Sequence, residues 1–169
     1  IIQADEVGPS LGQEAIDSGT LSFIIALILV LVWMIFYYGR AGIYSNIALV
    51  FNIILIFGYL AGSNAALTLP GIAGIVLTIG IAVDANVLIY ERVREELLNG
   101  KGLRLAITDG YKAAYSSIID ANVTTLLTGI ILYVFGTGPI KGFATTLVIG
   151  IITSLFSAIF ITRLIFYWR

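Results

Sequence analysis

The sequence predicts an all-α membrane protein, a polytopic helix bundle with five transmembrane helices. Of its 169 residues, 59% are hydrophobic and 11% are charged, and the mean hydropathy is +1.04. A soluble domain of this length needs more polar side chains to cover its surface, whereas a membrane bundle exposes its outer face to lipid. The apolar runs are also close to the length of about 20 residues that a helix needs to cross about 30 Å of hydrocarbon.

The five expected spans follow from the places where charges and helix breakers interrupt the apolar sequence. Residues 41–83 carry no charge, and as one helix they would be about 65 Å long, which is too long for a single crossing. This run must therefore fold back, and the breakers lie between Gly62 and Gly71. The expected spans are residues 21–38, 43–61, 70–90, 114–135 and 141–163.

The polar segments have separate interpretations. Residues 1–19 are acidic and lack Lys and Arg, unlike a signal peptide, and they are expected to be the end of a domain or linker before the bundle of residues 20–169. Residues 91–96 are expected to continue the third helix, with charges spaced for ion pairs on one helix face. Residues 103–114 are expected to form a short amphipathic helix along the membrane surface.

The distribution of cations predicts the orientation of the chain. With five crossings, one side of the membrane holds eight Lys and Arg residues and the other holds only Lys141. Cytoplasmic loops carry an excess of cations, so the N-terminus is expected outside and the C-terminus in the cytoplasm. The eight are Arg40, Arg92, Arg94, Lys101, Arg104, Lys112, Arg163 and Arg169.

Two acids lie inside expected spans, Asp84 in the third and Asp120 in the fourth. Each is five or six residues from the cytoplasmic end of its span, or roughly 8–9 Å deep. A carboxylate at such a depth is costly, and no Lys or Arg within a span can pair with it. The functional interpretation is a proton-binding site or relay made by both acids. The alternative is an acid that hydrogen bonds keep neutral and that only fixes helix packing, or one that stays hydrated near the interface.

A four-residue repeat surrounds these acids. The sequence Asp-Ala-Asn-Val occurs at Asp84 and again at Asp120, which is weak support for an internal repeat. Asn86, Asn122 and Thr124 are therefore candidates for polar support near the relay.

Small residues recur at helical spacing in the third and fifth spans. In the fifth span they occupy every fourth position from Gly142 to Thr162. Such faces allow helices to approach closely in lipid, although a sliding interface used in transport is an alternative. The candidate packing residues are Gly74, Gly80, Gly142, Gly150, Ser154 and Ala158.

Catalysis and cofactor binding are not predicted. The sequence has no cysteine or histidine, no phosphate loop, and no nucleophile paired with a base. No basic tract suggests nucleic acid. The protein is therefore expected not to be an enzyme and to bind no metal or cofactor, and energy for work would come from a partner or an ion gradient.

Four stretches resemble one known family, in that family's order and over nearly the whole chain. The longest runs from Gly74 to Glu96 and contains Asp84; the others are residues 8–12, 120–126 and 138–144. Together they resemble the SecD family of bacterial protein-export membrane subunits, within the resistance-nodulation-division superfamily. The related SecF family carries an intramembrane Arg that the spans expected here lack.

The resemblance implies a place and a function. SecD-like proteins have six spans in the bacterial inner membrane, with a large periplasmic domain between the first two, so this chain would hold the second to sixth spans. Family members work with SecF beside the SecYEG channel and use the proton-motive force to promote export of the translocating polypeptide. The acid that matches Asp84 is implicated in proton conduction, and a SecF Arg is a plausible counter-charge.

Two other functions remain open. The chain could be a passive scaffold that recruits SecF and the channel, in which case both acids would be replaceable. It could also be a fragment of a small-molecule exporter of the same superfamily, which the motifs argue against.

Overall fold

The computed structural model describes residues 9–63 and 68–167, and all regular structure in these two ranges is helical. Five long helices are each apolar and long enough to cross a membrane, which confirms the predicted number of spans. The helices are α1 (Pro9–Tyr38), α2 (Arg40–Gly62), α3 (Leu69–Leu98), α4 (Leu103–Phe135), α5 (Pro139–Phe156) and α6 (Thr162–Tyr167), with a π-helical turn (Ser157–Ile161) between the last two.

Consecutive helices run antiparallel, and α3 lies at the centre of the bundle in contact with all four other long helices. One end of the bundle, here called the basic end, holds Gly39, residues 99–102 and α6. The far end holds the α2–α3 and α4–α5 connections. Two apolar cores fill the interior: one joins α2, α3 and α5 toward the far end, and the other joins α3, α4 and the π-helical turn toward the basic end.

The helices are longer than the expected spans. α1 begins at Pro9, so residues 9–19, expected to belong to a preceding domain or linker, are part of the same helix as the first span. Residues 1–8, 64–67 and 168–169 lie outside the described residues. α3 extends to Leu98, which confirms that residues 91–96 continue the third helix.

Residues 103–114 are helical, but they do not form the separate surface helix that was expected. They are the first turns of α4, which continues without a break to Phe135. The reason is a close contact between helices: Gly110 lies so near to Val93 that a Cβ at position 110 would overlap the Val93 backbone. This part of α4 therefore packs on the extension of α3.

A single residue separates α1 from α2. Gly39 has a φ of 56°, a left-handed conformation that favours glycine, and it reverses the chain between the two helices. Three residues later, a Cβ on Gly42 would overlap the Met34 carbonyl oxygen. The Asn46 Nδ2 donates a hydrogen bond of 2.9 Å to the Leu31 carbonyl oxygen across the same hairpin.

Most of the small residues predicted to pack helices do so. A Cβ on Gly74 would overlap Thr146 of α5, one on Gly150 would overlap Thr78 of α3, and one on Gly142 would overlap Thr68 just before α3. Ser154 and Ala158 are also buried. Gly80 is the exception, because a Cβ there would meet no atom within 4 Å. The expectation that Gly80 packs a helix within this bundle is therefore wrong, and Gly80 lies on an open face of α3.

Hydrogen bonds hold the π-helical turn at the end of the fifth span. The Ser157 hydroxyl donates to the Ala48 carbonyl oxygen of α2 at 2.7 Å, and the Thr162 hydroxyl donates to Asn86 Oδ1 of α3 at 3.0 Å. A π-helical turn holds one more residue than an α-helical turn, so the residues after it are displaced by about 100° around the helix axis. This displacement determines which way α6 and Arg163 face.

Candidate functional site

The two acids inside the spans lie at the same depth in neighbouring helices. Asp84 is 15 residues after Leu69, where α3 begins, and Asp120 is 15 residues before Phe135, where α4 ends. At 1.5 Å per residue, each acid is about 22 Å from the far end of its helix. α3 and α4 pack against each other along this length.

Asp84 lines a groove between α3 and α4 with a volume of about 190 Å³. Its polar neighbours in the groove come from α4 and are Ser117, Asn122 and Thr125, while apolar residues of both helices form the remaining wall. One carboxyl group and three polar side chains therefore share a small open space halfway along the bundle.

Asn122 offers a free acceptor in this groove. The side chain is 4% exposed, and its Nδ2 donates to the Ile118 carbonyl oxygen at 2.8 Å. Within the two described ranges its Oδ1 has no hydrogen-bond partner. A buried polar atom without a partner is costly, so a proton donor in the groove, such as a protonated carboxyl or a water molecule, would be stabilised there.

Asp120 and Thr124 lie on another side of α4. Neither is among the residues that line the groove, and both are exposed on the surface of the bundle. The Thr124 hydroxyl donates to the Asp120 backbone carbonyl oxygen at 3.0 Å, not to a carboxylate. The structure therefore brings Asn122 to Asp84 but does not place Asp120 or Thr124 in the same groove.

Asn86 serves packing rather than the groove. It is 3% exposed, lies on the buried side of α3, and accepts the hydrogen bond from Thr162. The two Asp-Ala-Asn-Val sequences thus have different surroundings: the second asparagine faces the groove and the first faces α6.

The carboxyl groups face outward from the five helices. Asp84 and Asp120 are both exposed on the surface of the bundle, and neither takes part in an ion pair in the part of the chain that the structure describes. The ion pairs lie at the basic end, where Lys101 Nζ bridges Glu96 and Asp109 at 2.6 Å each. A charged Asp84 would need a cation from outside this bundle.

Sequence reasoning missed two groove residues, Ser117 and Thr125. Both lie on the face of α4 that includes Ala121, at spacings of four residues. The four-residue spacing shows that Ser117 and Thr125 share one face of α4. It does not show that this face is turned toward Asp84, because a single sequence does not give the rotation of a helix about its axis.

These features define a multi-pass membrane protein with an ionisable residue in a polar groove between two spans. The chain belongs to the family of protein export membrane proteins SecD/SecF, C-terminal, whose family model matches residues 1–169.

The chain is similar to protein translocase subunits SecD of several bacteria. It is 61% identical to the subunit of Rhodothermus marinus over 166 residues, which are 98% of this chain and 27% of the relative. It is 58% identical to that of Desulfurispirillum indicum over 166 residues, 98% of this chain and 32% of the relative. The chain thus spans less than a third of the length of these relatives.

Two crystal structures have the same fold. SecDF of Thermus thermophilus, described as a translocon-associated membrane protein, matches with a TM-score of 0.89 and 45% identity over 92% of this chain and 22% of that protein. SecDF in a super-membrane-facing form matches with a TM-score of 0.88 and 44% identity over 94% of this chain and 22% of that protein.

Proposed function

We propose that the chain is the membrane bundle of a bacterial Sec protein-translocase subunit that uses the proton-motive force to promote polypeptide export, with Asp84 as the residue that binds the proton. The observation that carries this proposal is the groove of about 190 Å³, which is lined by Asp84 and by Asn122, whose buried Oδ1 has no hydrogen-bond partner among the described residues. Intramembrane acids are rare, and they commonly mark proton pathways.

The two protonation states of Asp84 would have different partners. The neutral acid can donate a hydrogen bond, and Asn122 Oδ1 is an acceptor without a donor in the groove. The carboxylate cannot donate, and in a low-dielectric site it requires a positive charge. Because Asp84 faces outward, that charge would come from a second helix bundle, for which an Arg of SecF is the candidate.

Asp120 has a separate role in this proposal. It lies at the depth of Asp84 but outside the groove, on the outer surface of α4. A partner bundle placed against α3 and α4 would cover both acids, so Asp120 would shape the same polar interface without sharing the groove.

The proposed setting is the bacterial inner membrane. The basic end would be cytoplasmic, the far end periplasmic, and residues 1–19 the last part of a periplasmic domain. Support comes from the charges: among the described residues the basic end has seven Lys and Arg side chains, and the far end has Lys141 alone. SecF, the SecYEG channel and the translocating polypeptide are the proposed partners.

A passive scaffold is the second candidate function. It is favoured by the open face of α3, where Gly80 and Asp84 are both exposed and a Cβ on Gly80 would meet no atom within 4 Å. In that case the face would serve only to bind the SecF bundle.

Replacement of Asp84 by Asn in the full-length polypeptide tests the proposal. The amide keeps the size and the hydrogen bonds but cannot titrate, so the proton-dependent part of export is expected to fall about tenfold or more, while SecF still co-purifies. Export of a reporter into sealed vesicles, with and without a proton gradient, measures the effect.

Two variants serve as controls. Asp84→Glu keeps a titratable group and is expected to retain part of the proton-dependent export. Glu95→Gln removes an exposed acid outside the groove, whose only described ion pair is with Arg92 on the surface of its own helix, and it is expected to have no effect. Normal proton-dependent export by D84N would overturn the proton role. Normal export together with normal SecF binding in D84N and D120N would establish the scaffold instead.

A further inference from the structure

The basic end contains a second cavity that the proposed export function does not use. It has a volume of about 330 Å³ and lies between α4 and the end of the fifth span, with Ile89 of α3 at its base. The polar residues that line it are Thr108, Tyr111, Lys112, Tyr115 and Arg163. We infer that this cavity binds the headgroup of an anionic phospholipid.

The charges of the cavity are of one sign. Lys112 comes from α4 and Arg163 from α6, so the two walls that these helices contribute to the cavity carry one cation each. No acidic residue of the described chain lines the cavity. Asp109, the nearest acid in sequence on α4, instead binds Lys101. A phosphate between the two walls would therefore meet two cations and no repulsion.

The hydroxyl groups suit a phosphate and its esters. Tyr111 and Tyr115 lie one turn apart on α4, and Tyr111 is close enough to Arg163 to interact with it electrostatically. Tyrosine is common at the boundary between lipid and water, since its ring is apolar and its hydroxyl is polar. Tyr115 is 53% exposed, so the mouth of the cavity is open on that side.

An apolar surface adjoins the cavity. A neighbouring depression of about 270 Å³ shares Ile159 and Arg163 with the cavity and is otherwise lined by Phe160 and Leu164, which are both exposed. A polar, cationic cavity that joins an apolar trough matches a molecule with an anionic headgroup and hydrocarbon chains. A free anion would make no use of the trough.

The π-helical turn positions Arg163 for this site. Ser157 and Thr162 are bonded to α2 and α3, and the extra residue of the turn displaces Arg163 by about 100° around the axis. Arg163 lies directly after the turn, so the turn sets the side of the helix on which Arg163 lies. The cavity thus depends on a local irregularity that the fold holds in place through two buried hydrogen bonds.

Lipid retention tests the inference. The full-length polypeptide is reconstituted in nanodiscs of equal parts phosphatidylglycerol and phosphatidylcholine. It is then released from the nanodiscs in a mass spectrometer, and the lipid molecules that stay bound to it are identified and counted. We expect the wild type to retain phosphatidylglycerol. The double variant K112Q/R163Q is expected to retain it about 30-fold more weakly, because each cation near an anionic headgroup contributes about 1 kcal/mol and a loss of about 1.4 kcal/mol weakens binding about tenfold. Lys112→Arg keeps the charge and is expected to retain the lipid.

The matched control removes two cations of the same end that lie outside the cavity, Arg40 and Arg94. R40Q/R94Q is expected to retain phosphatidylglycerol as the wild type does, and an equal loss in this control would overturn the site. Dioctanoyl phosphatidylglycerol is expected to compete with the bound lipid, whereas inorganic phosphate at the same concentration is not. Competition by inorganic phosphate would show a simple anion site, and exclusion of lipid by a co-purified protein partner would show a protein interface; either result would overturn the inference.

Discussion

The glycines of this bundle fall into two groups according to what surrounds them. Gly42, Gly74, Gly142 and Gly150 lie where a Cβ would overlap an atom of another helix or of the residue preceding α3. Gly58 and Gly80 have open space around them. The first group allows helices to approach closely, which is how packing rather than hydrophobicity drives association in lipid.

Gly42→Ala is expected to destabilise the bundle by about 1–3 kcal/mol, because the methyl group would overlap the backbone oxygen of Met34, which cannot rotate away. Unfolding in a mixed detergent titration measures the change. The control is Gly58→Ala in the same helix, which meets no atom and is expected to be neutral or slightly stabilising. Equal effects of the two variants would show that the contact with Met34 contributes nothing.

The sequence predicts which polar residues lie inside the spans, but it does not predict which of them line the same groove. Intramembrane acids stand out in any apolar sequence, so Asp84 and Asp120 are found at once. Whether they face each other depends on the rotation of α3 and α4, and both helices pack on more than one side. Identical Asp-Ala-Asn-Val sequences therefore led to an expectation of similar roles for Asn86 and Asn122, which the structure places in different surroundings.

The last span is interrupted by a π-helical turn that links three helices through side-chain hydrogen bonds. The Thr162 hydroxyl donates to Asn86 Oδ1, and it also lies 3.3 Å from the Ser157 carbonyl oxygen, which accepts the Thr162 backbone N–H. Sequence periodicity gave no sign of this turn, because the small residues continue at every fourth position through it.

Thr162→Val is expected to destabilise the bundle by about 1–3 kcal/mol, because the isosteric side chain leaves Asn86 Oδ1 buried without a donor. The same detergent titration measures it, and hydrogen exchange should become faster at residues 157–162. Thr128→Val is the matched control, because Thr128 is exposed and donates only to the Thr124 carbonyl oxygen of its own helix. Unchanged exchange in the Thr162 variant would contradict the role of this bond.

Lys101 stabilises the connection between α3 and α4 through two ion pairs. Its ammonium group bonds to Asp109 and Glu96, and these two hydrogen bonds raise the pKa of Lys101 above its ordinary value of 10.5. A raised pKa in the folded state means that the contribution to stability is complete below the ordinary pKa and is lost as the pH rises through the folded-state pKa.

The wild-type bundle is therefore expected to lose stability above about pH 10.5 more steeply than a Lys101→Met variant does. Detergent unfolding midpoints between neutral and strongly alkaline pH give the comparison. Lys141→Met is the control, since Lys141 takes part in no described ion pair and lies over the Tyr133 ring instead. Parallel curves for the wild type and the Lys101 variant would contradict the assignment.

On the scale of the whole molecule, the number of crossings was predictable and the lengths of the helices were not. Hydrophobic runs and their breaks fix the spans, because lipid leaves backbone groups no partner outside a helix. Polar residues can continue a helix beyond its apolar span, as residues 9–20 do in α1 and residues 91–98 do in α3. Hydropathy alone therefore predicts helices that are too short at these two ends.

Labelling of single cysteines, in a full-length polypeptide that carries no other cysteine, tests the topology; residues 1–169 contain none. Single cysteines at Asn99 and Thr137 lie at opposite ends of the bundle. With the basic end in the cytoplasm, a membrane-impermeant maleimide is expected to label Thr137→Cys in intact cells and Asn99→Cys only after the membrane is opened. Leu127→Cys, within α4, is the unreactive control, and the reverse labelling pattern would invert the proposed orientation.

α1 differs from the other long helices because only 6% of the residues in its apolar stretch are buried. It is one unbroken rod of 30 residues, about 45 Å long, joined to α2 through Gly39. A rod fixed at one end amplifies movement at the other: a tilt of about 10° about Gly39 would carry Pro9 through about 8 Å. A tilt of this size would have to displace Phe23 and Leu27 from the core and strain the Asn46 hydrogen bond to the Leu31 carbonyl oxygen, so these contacts set how far the Pro9 end of α1 can move.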